Sequence, residues 1–248
     1  MGRETPFVWR SKIVPGNDHL KGQGGLFCKI VGGVISPLLA NLYMRRFVLG
    51  WKHLGHEERL HARIVNYADD FVICTRGRAE QAMAAMRDMM SKLKLTVNEQ
   101  KTRRCHLPEE TFTFLGYTFG RHYSRRTGRS YVGPKPALKK IRKLCGEISE
   151  LTDRRTCPQD TEELVRKLNR KLNGWANYFC LGPVVRVYEV VLNHTRRRLR
   201  RWLCAKNKVR TKAYGRFPVE YLHDQLGLVP HVPHPKNKVE VYPVCPNQ

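Results

Sequence analysis

Along this 248-residue chain the apolar pattern changes character at the punctuation Gly133, Pro134 and Pro136, from strand-like runs mixed with helical faces to helical faces alone. Upstream, short apolar runs alternate with turns: Ile64 and Val65 precede, and Phe71, Val72 and Ile73 follow, the acidic pair Asp69 and Asp70. Short runs flanking a tight polar turn specify a β-hairpin. Downstream, apolar residues recur every three or four positions, as in Leu164, Leu168, Leu172, Trp175 and Phe179, which is the spacing of one helix face. A chain that changes character in this way builds an α+β portion and then an all-helical portion, because each pattern buries its apolar side only in its own kind of element.

The length allows one large domain or two modest ones. Residues 1–31, with glycines and charges scattered through Pro15 to Gly25, read as an irregular opening. Ser36 is placed to cap a helix over Leu38 to Trp51, entered through Pro37. Arg63 to Cys74 reads as the hairpin, and Ala79, Ala82, Met83, Met86, Met90 and Leu93 make one helical face whose methionines are core filler. Strands are expected over Thr111 to Phe119 and Ser130 to Val132, on either side of the basic turn Arg121 to Arg129. Beyond the boundary, one helix starts near Ala137 and a second at Asp160, where Glu163 gives capping-box spacing. A third helix runs from about Val184 to Leu203. Phe217 to Val229 reads as a small docking segment, and 230–248 as a proline-rich tail without a core.

The third helix carries the sharpest binding signal. Val184, Tyr188, Val191, Thr195, Leu199 and Trp202 align, while Arg186, Asn193, Arg196, Arg197 and Arg200 gather opposite them with Glu189 as the only nearby acid. A merely solvated face mixes acids with bases. Arg166 and Arg170 likewise fall off the core stripe of the preceding helix. With 46 lysines and arginines against 21 acids, a net charge of +25, the pattern predicts a polyanionic partner, nucleic acid before membrane. There is no long apolar run, and Met1 to Arg10 lacks a signal-peptide core, so a cytoplasmic protein is expected. The eight dispersed cysteines read as reduced thiols, and His231, His234 and Cys245 as surface tail rather than a zinc set.

Two adjacent carboxylates at a hairpin turn suit a hard divalent cation such as magnesium, yet acids are common in polar turns. Context decides. The order Gly32 to Asn41, Tyr67 to Asp70, Asn98 to Thr102 and Phe114 to Tyr117 resembles the successive palm motifs of reverse transcriptases. Gly174, Trp175, Ala176, Asn177, Tyr178 and Phe179, within a basic helical region, resemble the maturase region of group II intron proteins. Tyr188 to Lys208 and Phe217 to Val229 continue that likeness, which spans residues 32–229.

The resemblance implies an α+β partial reverse-transcriptase palm with a catalytic β-hairpin over 32–133, followed by an α-helical thumb and maturase domain over 134–229. It implies RNA-directed DNA polymerase activity by two-metal nucleotidyl transfer, together with intron RNA binding and splicing assistance. Asp69 and Asp70 would hold two Mg2+ ions; Gly32 and Gly33 would lie beside the incoming nucleotide. Lys101 would approach its phosphates, a role that stands level with that of a solvated lysine. Leu115 and Gly116 would form the primer-grip turn, although the strand residues around them also read as simple core. Partners would be group II intron RNA, an RNA template and a DNA primer.

Two departures from the family pattern stand out. The family carries a further catalytic aspartate and its fingers motifs upstream of the segment that begins here at Gly32, and Asp18 has no strand-like surroundings. Val31 replaces the glutamine usual before the paired glycines, without its amide hydrogen bonds. These departures predict a 5′-truncated or frameshifted gene, weakened metal binding and no autonomous polymerase activity. The rival is a noncatalytic RNA-binding splicing helper or a degenerate remnant.

Overall fold

A computed structural model describes residues 6–15, 36–68, 70–97, 102–124, 127–209 and 213–230. The chain divides into two compact units, one formed by residues up to 114 with 119–133, the other by 115–118 with the chain from 134 on.

The first unit is built on an antiparallel sheet. Its strands are β1 (Pro6–Pro15), β2 (Ala62–Tyr67), β3 (Asp70–Arg76), β4 (Leu95–Val97) and β5 (Arg103–His106), in the order β2-β3-β1-β4 with β5 also paired to β1. The strand over Pro6–Pro15 corrects the expectation of an irregular opening. Phe7, Val8, Trp9, Ile13 and Val14 favour extended backbone, but what makes the strand is pairing to β3 and β5, nearly 60 or more residues away, and local sequence does not announce that.

Strand alternation sends Phe71, Ile73 and Thr75 of β3 into the core. There they meet α1 (Ser36–His53) and α2 (Ala79–Lys92), which contribute Met44, Phe47 and Trp51, and Ala82, Met83, Met86 and Met90. The rings of Phe47 and Phe71 lie 5.5 Å apart. Each such side chain contributes roughly 1.5–3 kcal/mol through burial. Trp51 Nε1 donates to Ala62 O at 2.8 Å, so its one polar atom is also satisfied.

A three-stranded sheet follows, in the order β6 (Phe112–Phe114), β7 (Tyr117–Tyr123), β8 (Ser130–Pro136). The strand region expected over Thr111 to Phe119 consists of β6 and the start of β7, with a turn between them. Leu115 and Gly116 both adopt left-handed backbone, with φ of 49° and 82°, and reverse the chain.

The second unit packs α3 (Leu138–Leu151), α4 (Thr161–Tyr178) and α5 (Val185–Lys206). Asp160 caps α4 by accepting from Glu163 N at 3.0 Å, as its spacing predicts, a contribution of about 1 kcal/mol. Leu144 and Ile148, Leu164, Leu168 and Leu172, and Val191, Leu199 and Trp202 form one core. Phe217, Leu222 and Leu228 join it, so the segment after α5 docks. Asn169 fastens that segment with both ends of its amide, donating to Gly227 O at 2.8 Å and accepting from Val229 N at 3.1 Å. Among the described residues no helix is long and apolar enough to cross a membrane.

Candidate metal hairpin and nucleic-acid interface

Tyr67 and Asp70 face each other as the last pair of the β2–β3 ladder, so Ala68 and the residue after it are the whole connection. Two-residue hairpin turns require left-handed backbone to match strand twist, and Ala68 adopts φ +52°. An L-residue there carries about 1–2 kcal/mol of strain, held by the paired strands on both sides.

Asp70 opens β3, anchored by the buried Phe71 that follows it. Its Oδ1 is buried and has no hydrogen-bond partner among the described residues. An oxygen withdrawn from water without a donor is costly, and a divalent cation is a ligand that satisfies it. Asp70 therefore fits a magnesium ligand by its chemistry and its orphaned oxygen. Among the described residues no group of three or more histidines, cysteines or acids converges as a metal site. Asp69, Gly32, Gly33 and Lys101 lie outside the described residues. Lys12 of β1 stands in backbone register with Asp70, and Pro6–Pro15 contains no acidic residue.

The turn at Leu115 and Gly116 belongs to the helical unit and is fixed on several sides. Ala137 N donates to Gly116 O at 2.9 Å, and Tyr178 Oη donates to Leu115 O at 2.8 Å. In return Tyr117 Oη donates to Tyr178 O at 2.5 Å. Tyr188 Oη closes the set on Phe179 O at 2.7 Å. Burial pushes the Tyr188 phenol up to about 12 and also raises that of Tyr117, so both remain donors at neutral pH. The Phe179 ring lies 5.1 Å from Tyr117 and 4.7 Å from Trp175. The run Trp175 to Phe179, singled out in the sequence, is thus an aromatic clamp on this turn. Phe114 and Tyr117 are themselves buried.

The cations of the helical unit divide into two groups. Arg166 and Arg170 on α4, and Arg186 and Arg197 on α5, are exposed. Arg200 is not: it is 5% exposed and donates from Nε to Phe217 O at 2.8 Å. Arg196 is half-buried, donating to His223 Nε2 at 3.0 Å and Pro230 O at 3.1 Å; burial and then the Arg200 charge lower its pKa. The expectation that both stand on the open cationic side is corrected. A helical wheel places them there, but residues 213–230 dock along that flank and recruit both guanidiniums to their backbone. Arg201, which the sequence reading passed over, is exposed one turn beyond Arg197. The i, i+4 step from Arg197 was the signal that could have found it. The open stripe of α5 is therefore Arg186, Val190, Asn193, Arg197 and Arg201. Arg198, also missed, secures the end of α3, donating to Ser149 O at 2.7 Å and Thr152 O at 3.1 Å.

Residues 22–119 match the family described as reverse transcriptase (RNA-dependent DNA polymerase). Residues 141–217 match the group II intron, maturase-specific domain. The first match contains the β2–β3 hairpin and the Leu115–Gly116 turn; the second contains α4, α5 and their exposed arginines. No curated protein matches the chain.

Proposed function

We propose, from the premise that this chain belongs to the reverse transcriptase and maturase proteins of group II introns, that its own activity is to grip intron RNA through the open cations of the helical unit. In this reading that unit is the family's thumb and maturase domain, and the sheet carrying the β2–β3 hairpin is part of its palm. Arg166, Arg170, Arg186, Arg197 and Arg201 contact phosphates, releasing counterions, and so position the RNA without reading its sequence. Selectivity comes from the RNA's shape and exposed bases. The splicing chemistry belongs to the RNA, and the protein favours its active fold.

The hairpin supplies Asp69 and Asp70 as magnesium ligands. When bound, divalent metal supplies electrostatic stabilisation of the charge that develops in nucleotidyl transfer. The observation that supports Asp70 in this role is its buried Oδ1, which has no partner among the described residues. Asp69 and Asp70 are the acids that the hairpin contributes in sequence, and among the described residues Pro6–Pro15 of β1, paired with β3, carries none. Reverse transcription is the activity that the family match attaches to this hairpin, and RNA binding is the one that the open cations of the helical unit support.

Two measurements on the full chain test the assignment. Asp70→Asn should abolish Mn2+ binding followed by electron paramagnetic resonance, and leave affinity for a transcribed group II intron RNA unchanged. Magnesium-dependent primer extension that disappears in Asp69→Asn would establish the hairpin as a polymerase site in this chain, and loss of RNA affinity in Asp70→Asn would overturn the separation of the two sites.

A further inference from the structure

The hairpin of β7 and β8 reaches further than its packing requires. Its distal part, residues 119–133, belongs to the first unit, and Ser124 N donates to Arg129 O at 2.9 Å to close its end. Phe119 stacks on Phe112 with centroids 4.9 Å apart, fastening the base of the hairpin to β6. Past that point three large apolar side chains turn to solvent: Tyr123 is 65% exposed, Tyr131 42% and Val132 45%. Exposed rings scattered singly are ordinary on a protein surface. Here they gather on one short hairpin.

Tyr131 is also seated. Its ring lies over Gly133, where a Cβ would fall 2.9 Å from Cε2, and its centroid stands 5.8 Å from that of His122. Glycine at this position lets the ring rest against the strand, flanked by the imidazole, while much of it stays open to solvent. A ring held in this way has given up rotamer freedom before any ligand arrives, which lowers the cost of binding.

The charge around the rings has one sign. From Thr111 to Gly146 the sequence contains no acidic residue. Arg121, Arg125, Arg126 and Arg129 fall within the hairpin, Arg125 and Arg126 lying outside the described residues. Arg121 reaches Glu109 at 3.9 Å, whereas Arg129 is exposed and forms no ion pair among the described residues. A ligand that offers both flat π faces and negative charge is an unpaired run of nucleic acid, whose bases stack on aromatic rings while its phosphates meet arginines. A duplex offers the charge but keeps its bases stacked inside.

We propose that the β7–β8 hairpin binds unpaired RNA nucleotides, with a base stacked on Tyr131 and a phosphate on Arg129. This contact lies outside the helical unit and rests on the proposed function only in taking RNA as the partner, and the test separates the two.

The probes are a single-stranded oligouridylate carrying one 2-aminopurine and a blunt RNA duplex of the same length, titrated with the full chain across a salt series. Binding of the single strand should quench the 2-aminopurine, as stacking on a ring does. Tyr131→Ala should weaken single-strand binding about five- to hundredfold, the range for one stacked base, remove the quench and leave the salt slope and duplex binding unchanged. Tyr131→Phe should keep both affinity and quench. Gly133→Ala, which keeps the ring but fills its seat, should reduce both. Arg129→Gln should lower the slope of log affinity against log salt by about 0.7, one phosphate of a single strand. Unchanged single-strand affinity in Tyr131→Ala, an equal loss on the duplex, or an unchanged slope in Arg129→Gln overturns the proposal. A wild-type protein that binds intron RNA but not the oligouridylate overturns this proposal alone, and one that binds neither overturns the proposed function as well.

Discussion

Alanine at position 68 stands where glycine or asparagine would rest without strain. Its left-handed backbone is imposed by a two-residue connection between paired strands. Ala68→Gly should therefore raise the stability of the hairpin unit by about 0.5–1 kcal/mol, less than the full strain because glycine also loosens the unfolded chain. Chemical denaturation measures it, and a destabilised variant would contradict the strain. Two histidines give a pH signature. Burial, followed by the Arg59 charge, lowers the pKa of His56, whose Nδ1 pairs with Arg59 Nη2 at 2.9 Å. Burial likewise lowers that of His194, beside Ser149 Oγ at 3.1 Å. Each neutral form is favoured by folding, so this stability is present above the ordinary histidine value of 6.5 and is lost as pH falls through the lowered values. The thermal midpoint should drop on acidification below about pH 6.5, and His194→Gln should flatten part of the drop.

Among the elements, α5 shows what a sequence can and cannot disclose. Its core stripe and the Asp160 cap of α4 were legible because both depend on neighbours within a turn or two. The fates of Arg196 and Arg200 were not, because their partners lie 17 to 34 residues later, in a segment whose docking is a matter of tertiary packing. The same holds for β1, whose pairing with β3 and β5 is long-range. Arg200→Met should thus cost about 1.5–3 kcal/mol, the range for a hydrogen bond to a charged group. Its thermal midpoint should fall while the salt dependence of RNA binding stays as in the wild type. A change in salt dependence with unaltered stability would return Arg200 to the interface.

For the molecule as a whole, the net charge of +25 announced a polyanionic partner but not where it binds. The acidic pair and its flanking motifs were legible as a family signature, and the orphaned oxygen of Asp70 gives that signature physical content. The clamp of Tyr117, Tyr178 and Tyr188 on the Leu115–Gly116 turn was not, since it joins residues about 60 apart. The helical unit has its own core, and it includes that turn. A fragment of residues 115–230 should therefore fold and keep the intron-RNA affinity of the full chain, as read by circular dichroism and filter binding. The measurement that bears most directly on the account is the salt dependence of intron-RNA binding by the combined variant Arg186→Gln, Arg197→Gln, Arg201→Gln. The slope of log affinity against log salt should fall by about two to three, close to one phosphate for each lost cation, with the thermal midpoint unchanged. A slope equal to that of the wild type would contradict the assignment of RNA binding to the open face of α5.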